Sequence, residues 1–222
     1  MFEKKEKKKG YDPSSDLELL VSRYPALKVS LKDIEKAFHM ISDSFEGGGK
    51  LLVCGNGGSA ADSLHIVGEL MKSFKGKRPL NEKQKAELMK VDKKAGALIG
   101  EGLQRTLPAV SLVNEVSLIS AFANDVEPSL NFAQQLLGLG KKGDVLLAIS
   151  TSGNSENVVY AAITARALGL KVVALTGSSG GRLADFSDVT IGVPAEDVAD
   201  VQELHLPVYH TLCSMLEGQF FD

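Results

Sequence analysis

Asp144-Val145-Leu146-Leu147-Ala148-Ile149-Ser150-Thr151-Ser152-Gly153-Asn154-Ser155 is the stretch whose reading decides the fold. Five apolar residues in succession describe a short buried strand. Four hydroxyls and a glycine follow it and lead into a helical pattern over 155–168. The same texture recurs outward in both directions. Short apolar runs lie at 50–54, 108–113, 171–176 and 188–193. Helical patterns lie between them at about 59–73, 115–123, 129–140 and 181–186, and a last one covers about 199–221. Strand, helix and strand alternating in this way predict an α/β fold: a three-layer, doubly wound sandwich with a five-stranded parallel sheet and right-handed crossovers. In such sheets ligands sit at the carboxyl edge of the strands, so the strand-end loops are where chemistry is sought.

Before the first strand, Leu27, Leu31, Ile34, Ala37, Phe38 and Ile41 recur at three and four residues and predict an N-terminal helix over about 17–45, ending before Gly47-Gly48-Gly49. Residues 1–14 read as a mobile basic tail and 15–222 as a single domain. The polar stretch at about 80–106 interrupts the alternation as a partly helical insertion. A lid, an oligomer contact and a surface excursion are the candidates, and the last two together are favoured.

Composition narrows the function classes. The chain has 222 residues, 44% hydrophobic and 24% charged, enough to bury a sizeable core. Lys and Arg total 25 against 28 Asp and Glu, a net charge of −3, so no basic field draws the chain to nucleic acid or an anionic membrane. Cys54 and Cys213 are far apart and in no CxxC arrangement, which excludes a disulfide scaffold and points to a reducing cytosol. No apolar run is long enough to span a bilayer, and the charged start has no apolar stretch behind it, so a cytoplasmic location is expected.

Two strand-end loops are rich in donors. After the first strand comes Gly55-Asn56-Gly57-Gly58-Ser59, in which the glycines let backbone approach a ligand and Ser59 lies near a helix start. The spacing fits neither a dinucleotide fingerprint nor a P-loop, so no nucleotide cofactor is expected. After the third strand, Ser150, Thr151, Ser152 and Ser155 gather hydroxyls where a helix dipole is positive, a cradle suited to a phosphate monoester. One of them can serve as the helix N-cap, but a cap needs one hydroxyl rather than four.

His65 and Glu69 are one turn apart on the helix following the first loop. On the last helix Gln202, Glu203, His205 and His210 offer further donors. Helical geometry alone lets either Gln202 or Glu203 share a cleft with His210. A His/Glu pair with another His suits a borderline divalent ion such as zinc. His39 has no comparable company and reads as structural.

These residues resemble the sugar isomerase (SIS) domain family, and within it the sedoheptulose 7-phosphate isomerases, also called phosphoheptose isomerases. The likeness spans roughly residues 27–217. It rests on Gly55–Ser59, His65-x-x-x-Glu69, Asn124-Asp125, residues 143–155, Leu175-Thr176-Gly177 with Gly180-Gly181, and Gln202-Glu203-x-His205 followed by His210. The resemblance implies phosphate ligands at Ser59, Ser150, Ser152 and Ser155, with Thr151 near the sugar. It further implies a substrate site that includes Asn56, Gly57, Gly58, Asn124, Asp125 and Gln202, in which Asn56 and Asp125 contact sugar hydroxyls. It implies a zinc site of His65, Glu69, Gln202 and His210, Glu69 as base and His210 as acid, and a homotetramer whose sites form between subunits. The insertion at 80–106 and Asp200-Val201, where the family commonly has Arg-Ile, depart from the pattern. A different phosphosugar is one consequence. A non-catalytic SIS protein that binds a phosphosugar or a partner is the alternative, and retention of the His/Glu constellation favours the enzyme.

Overall fold

A computed structural model describes residues 11–221. The lysine run of the expected tail lies outside them. Tyr11, at the end of that tail, packs its ring edge-on to Phe38 at a centroid distance of 6.0 Å and hydrogen-bonds to Asp16.

Five strands, β1 (Leu51–Cys54), β2 (Ala109–Ser111), β3 (Val145–Ile149), β4 (Lys171–Thr176) and β5 (Val189–Gly192), form one sheet in the order β2-β1-β3-β4-β5, parallel throughout. The α-helices are α1 (Ser14–Arg23), α2 (Leu31–Glu46), α3 (Gly58–Met71), α4 (Glu82–Val91), α5 (Lys93–Gly102), α6 (Val116–Asp125), α7 (Asn131–Leu139), α8 (Glu156–Ala167) and α9 (Val198–Phe221). Because successive strand residues face opposite sides, the sheet feeds two cores. Leu51, Val53, Val145 and Leu147 join Phe38, Ile66 and Tyr209 under α1, α2, α3 and α9. Leu52, Cys54, Leu146 and Ala148 join Leu136, Val158 and Ala162 under α7 and α8. The sandwich is therefore three-layered, as the alternation predicts.

The expected N-terminal helix is in fact two, α1 and α2, joined by a 3-10 segment at Pro25–Ser30. The cause is local: Tyr24 precedes Pro25, whose ring disfavours the α conformation there, and Tyr24 sits at φ −132, ψ 75. The segment at 181–186 is likewise a 3-10 helix, Arg182–Phe186, rather than an α-helix. The insertion is a helical hairpin of α4 and α5. Asn81 and Gln84 form a reciprocal capping box at its start, and Asp92 caps Ala95 N–H at the corner. Gly96 permits close crossing, since a Cβ there would lie 2.3 Å from the Leu88 carbonyl oxygen. A bridge between Pro79 and Gln104 closes the base of the hairpin.

The strand order places β2 on one side of β1 and β3 on the other. The chain thus reverses its winding between β1 and β3, and the loops leaving these two strands diverge around a crevice where ligands of such sheets bind.

Candidate active site

The loop after β3 builds one wall of that crevice. Ser150 Oγ donates to Ser155 Oγ at 3.0 Å, and Asn154 N–H donates to Ser152 Oγ at 3.1 Å, so three of the four hydroxyl residues are gathered in one turn. Gly153 makes the turn possible. Its φ is +66, and a Cβ would lie 2.0 Å from the Gly180 carbonyl oxygen. Asn154 also ties the turn to the following 3-10 helix, because its side-chain oxygen accepts from Arg182 N–H at 2.9 Å. Ser155 stands at the N-cap of α8 without making a side-chain cap bond, so the first amides of α8 are left for a ligand.

The loop after β1 forms the facing wall. Gly57 turns with φ +54 into α3, Ser59 is buried just inside the helix, and a Cβ on Gly58 would meet the Gln202 amide nitrogen at 2.5 Å. The Gln202 carboxamide therefore rests on the glycine turn, whereas Glu203 is exposed, which distinguishes the two positions that helical periodicity leaves equivalent. Asn56 and Asn157 exchange two side-chain hydrogen bonds, at 2.8 and 2.9 Å, across the mouth of the crevice. A cleft of about 410 Å³ opens beside them, lined by Asn56, Pro128, Ser129, Ser155, Glu156 and Asn157. Asn124 and Asp125 close α6 and hydrogen-bond to each other at 2.8 Å, three residues ahead of the segment that lines the cleft.

A second cluster joins α3 to α9. His65 Nε2 lies 3.2 Å from Glu69 Oε1 and 3.5 Å from His210 Nε2. Glu69 also meets Lys72 at 3.2 Å, and Phe74 covers the His210 ring at a centroid distance of 5.5 Å. Burial, then the neighbouring His65, hold His210 below the ordinary imidazole value, with Glu69 opposing. His205 does not share this cluster: it is fully buried, neither ring nitrogen has a side-chain partner, and burial pushes it down to about 4. Cys54 and Cys213 are free, buried thiols pushed up to about 12 by burial.

The donor set bears on a metal. Tetrahedral zinc with ligand bonds of 2.0–2.1 Å separates its ligand atoms by about 3.3–3.4 Å. The His65–Glu69 and His65–His210 separations fall on either side of that edge length. Two imidazoles and a carboxylate are also the ligand chemistry zinc accepts. Among the described residues no group of three or more His, Cys, Asp or Glu is arranged so as to hold a metal ion. The fit therefore rests on donor type and these two edges.

Sequence reasoning did not single out Asn157, Asp62, Tyr209, Arg78 or Glu217, all of which contact or support the residues above. Asn157 is the second residue of α8, where only the partner amide from the β1 loop reveals a role. Tyr209 reads as a core aromatic by periodicity, and it is buried. Its hydroxyl nonetheless lies 3.1 Å from His65 Nδ1 and donates to Asp62 Oδ1 at 3.2 Å. Burial raises the Tyr209 hydroxyl, and it also raises Asp62 against the opposing effects of Tyr209 and His65.

The SIS domain family profile matches residues 26–105 and 86–177. A phosphoheptose isomerase of Akkermansia muciniphila is 33% identical over 202 residues, covering 91% of this chain and 93% of the relative. That of Thiobacillus denitrificans is 41% identical over 188 residues, covering 83% and 82%. Among solved structures, phosphoheptose isomerase GmhA from Neisseria gonorrhoeae superposes with a TM-score of 0.70 at 30% identity, over 92% of this chain and 96% of the other. A phosphoheptose isomerase from Francisella tularensis gives 0.72 at 32%, over 91% and 95%.

Proposed function

The chain belongs to the SIS-domain phosphoheptose isomerases, a family of aldose–ketose isomerases, and from that premise we propose that it converts sedoheptulose 7-phosphate to glycero-manno-heptose 7-phosphate through an enediol. The observation that carries the reading is the presence in one chain of two unlike clusters: a hydroxyl-lined helix start suited to an anion, and a carboxylate beside two imidazoles suited to proton transfer.

In this reading Ser59, Ser150, Ser152 and Ser155 hold the phosphate and Thr151 lies near the sugar. Asn56, Asn124, Asp125, Gln202 and the backbone of Gly57 and Gly58 position the sugar chain. The phosphate is remote from the reacting carbons, so its binding energy fixes register at the other end. Glu69 removes a proton from C1 of the ketose as His210 protonates the C2 carbonyl oxygen, giving the enediol; Glu69 then delivers its proton to C2 while His210 takes back the proton of the C1 hydroxyl, leaving the C1 aldehyde. Zinc held by His65, Glu69, Gln202 and His210 would polarise the carbonyl.

A homotetramer with sites completed between subunits accompanies this reading. It is supported by α6, which is apolar in sequence yet has no buried residue, and by Val91, Leu98 and Leu103 on the hairpin, exposed at 90%, 77% and 52%. No helix among the described residues is long and apolar enough to cross a membrane.

The test is a panel of ketose and aldose phosphates incubated with zinc-loaded protein, with products followed by NMR. Interconversion of the heptose 7-phosphates is expected, and turnover of another phosphosugar alone would replace the substrate assignment. Hydrogen bonds to a charged group contribute roughly 1.5–3 kcal/mol each, so Ser152→Ala with Ser155→Ala is expected to raise the Kd for phosphosugar by about 100-fold or more. An unchanged Kd in titration calorimetry would put the anion elsewhere.

A further inference from the structure

We infer that Tyr209, held by Asp62, fixes His65 in the tautomer protonated at Nδ1 and thereby keeps its Nε2 lone pair directed at the space shared with Glu69 and His210. Tyr209 and Asp62 are thus positioning residues for the proposed site, and the inference rests on that reading of the site.

The available protons fix the tautomer. Tyr209 has a single hydroxyl proton, and it goes to Asp62 Oδ1 at 3.2 Å, since a carboxylate only accepts. The phenolic oxygen is then an acceptor toward His65 Nδ1 at 3.1 Å, and that nitrogen must carry the proton. A neutral imidazole has one N–H, so Nε2 is bare.

The opposite tautomer has its own attraction. Glu69 Oε1 lies 3.2 Å from His65 Nε2 and would accept a proton placed there. The two sides of the ring compete, and the Tyr209–Asp62 pair decides the outcome. It is well placed to do so. Tyr209 is 1% exposed and its ring stands at 74° to that of His65, so it cannot swing away without disturbing the core, and Asp62 lies three residues before His65 on the same helix. Outer partners of this kind orient metal-binding histidines, and their loss typically costs 10–100-fold in metal affinity.

The experiment uses the full chain, metal-free, with ¹⁵N-labelled histidine at about pH 8, where an ordinary imidazole is neutral. Long-range ¹H–¹⁵N correlation spectra distinguish the two tautomers. The wild type is expected to show His65 protonated at Nδ1. Tyr209→Phe, which keeps the buried ring, is expected to move the proton to Nε2. Asp62→Asn is expected to do the same by a different route, because the Tyr209 proton is released to turn toward Nδ1. Should Tyr209→Phe fail to fold, Asp62→Asn carries the test. Zinc added alone, measured by competition with a chelator, is expected to bind both variants roughly 10–100-fold more weakly than wild type. A wild-type His65 protonated at Nε2, or folded variants that retain the Nδ1 proton, would overturn the inference. Zinc binding to none of the three proteins would instead overturn the metal reading, while the tautomer spectra still decide this one.

Discussion

Glu69→Gln is expected to lower kcat by about 10²–10⁴-fold while leaving phosphosugar affinity nearly unchanged. Glutamine matches glutamate in shape but cannot take a proton from carbon, so the loss falls on the chemical step rather than on binding. The location of the side chain supports that division. It lies in the last turn of α3, 3.2 Å from His65 Nε2, while the hydroxyl turn belongs to the β3 loop. Its contact with Lys72 involves a side chain that is 62% exposed and contributes little. Zinc content measured on the same sample separates two causes. Lost turnover with zinc retained identifies the base, and lost turnover with zinc lost identifies a ligand. Full activity in the variant would remove Glu69 from both roles.

The second large effect is expected far from the chemistry. Arg78 is 1% exposed, and its Nε donates to Glu217 Oε1 at 2.6 Å, while its Nη1 and Nη2 donate to the carbonyls of Leu70 and Glu69 at the end of α3. Glu217, in α9, also accepts from the backbone N–H groups of Phe74, Lys75 and Gly76 at 2.7–3.0 Å. The pair therefore clamps the end of the helix bearing His65 and Glu69 to the helix bearing His210. Glu217→Ala leaves a buried guanidinium without its counter-charge, a loss of about 3–5 kcal/mol. For a chain of this size that corresponds to a fall in Tm of roughly 6–20 °C. Replacing both residues by apolar side chains of similar volume is expected to recover much of the loss.

The same group sets an acid limit. Burial raises the Glu217 carboxyl, but the three backbone donors and Arg78 outweigh it, so its folded pKa lies below the ordinary carboxylate value. A lowered folded pKa contributes stability that is present above the unfolded pKa and is lost as pH falls through the folded one. Thermal melts of the wild type should therefore lose stability below about pH 4.5, the region of an ordinary glutamate. Glu217→Ala should lose less over the same interval, and equal losses would show that other carboxylates set the acid limit.

Much of the architecture was legible in the sequence because burial leaves a local signature. A strand covered on both faces must be apolar throughout, as Val145–Ile149 is, and its ends must turn, as Gly153 does. The site was legible in part, because hydroxyls at a helix start and a His/Glu pair one turn apart are also local patterns. What was not legible depends on partners distant in the chain. Asn157 is unremarkable until Asn56, 101 residues earlier, reaches it, and Tyr209 is one more core aromatic until Asp62 and His65 meet its hydroxyl.

The order of residues alone thus determined the parallel sandwich and the donor types of its loops, since each follows from periodicity and composition within about 15 neighbouring positions, while the family was read from the resemblance of motifs spread along the chain. Only the packed chain decided that Gln202 rather than Glu203 meets the glycine turn, that His205 is enclosed while His210 faces His65, and that a buried ion pair binds the two helices together. Helical rotation brings several side chains within a few tens of degrees of one another. The choice among them is made by what the opposite element offers to fill, to charge or to hydrogen-bond.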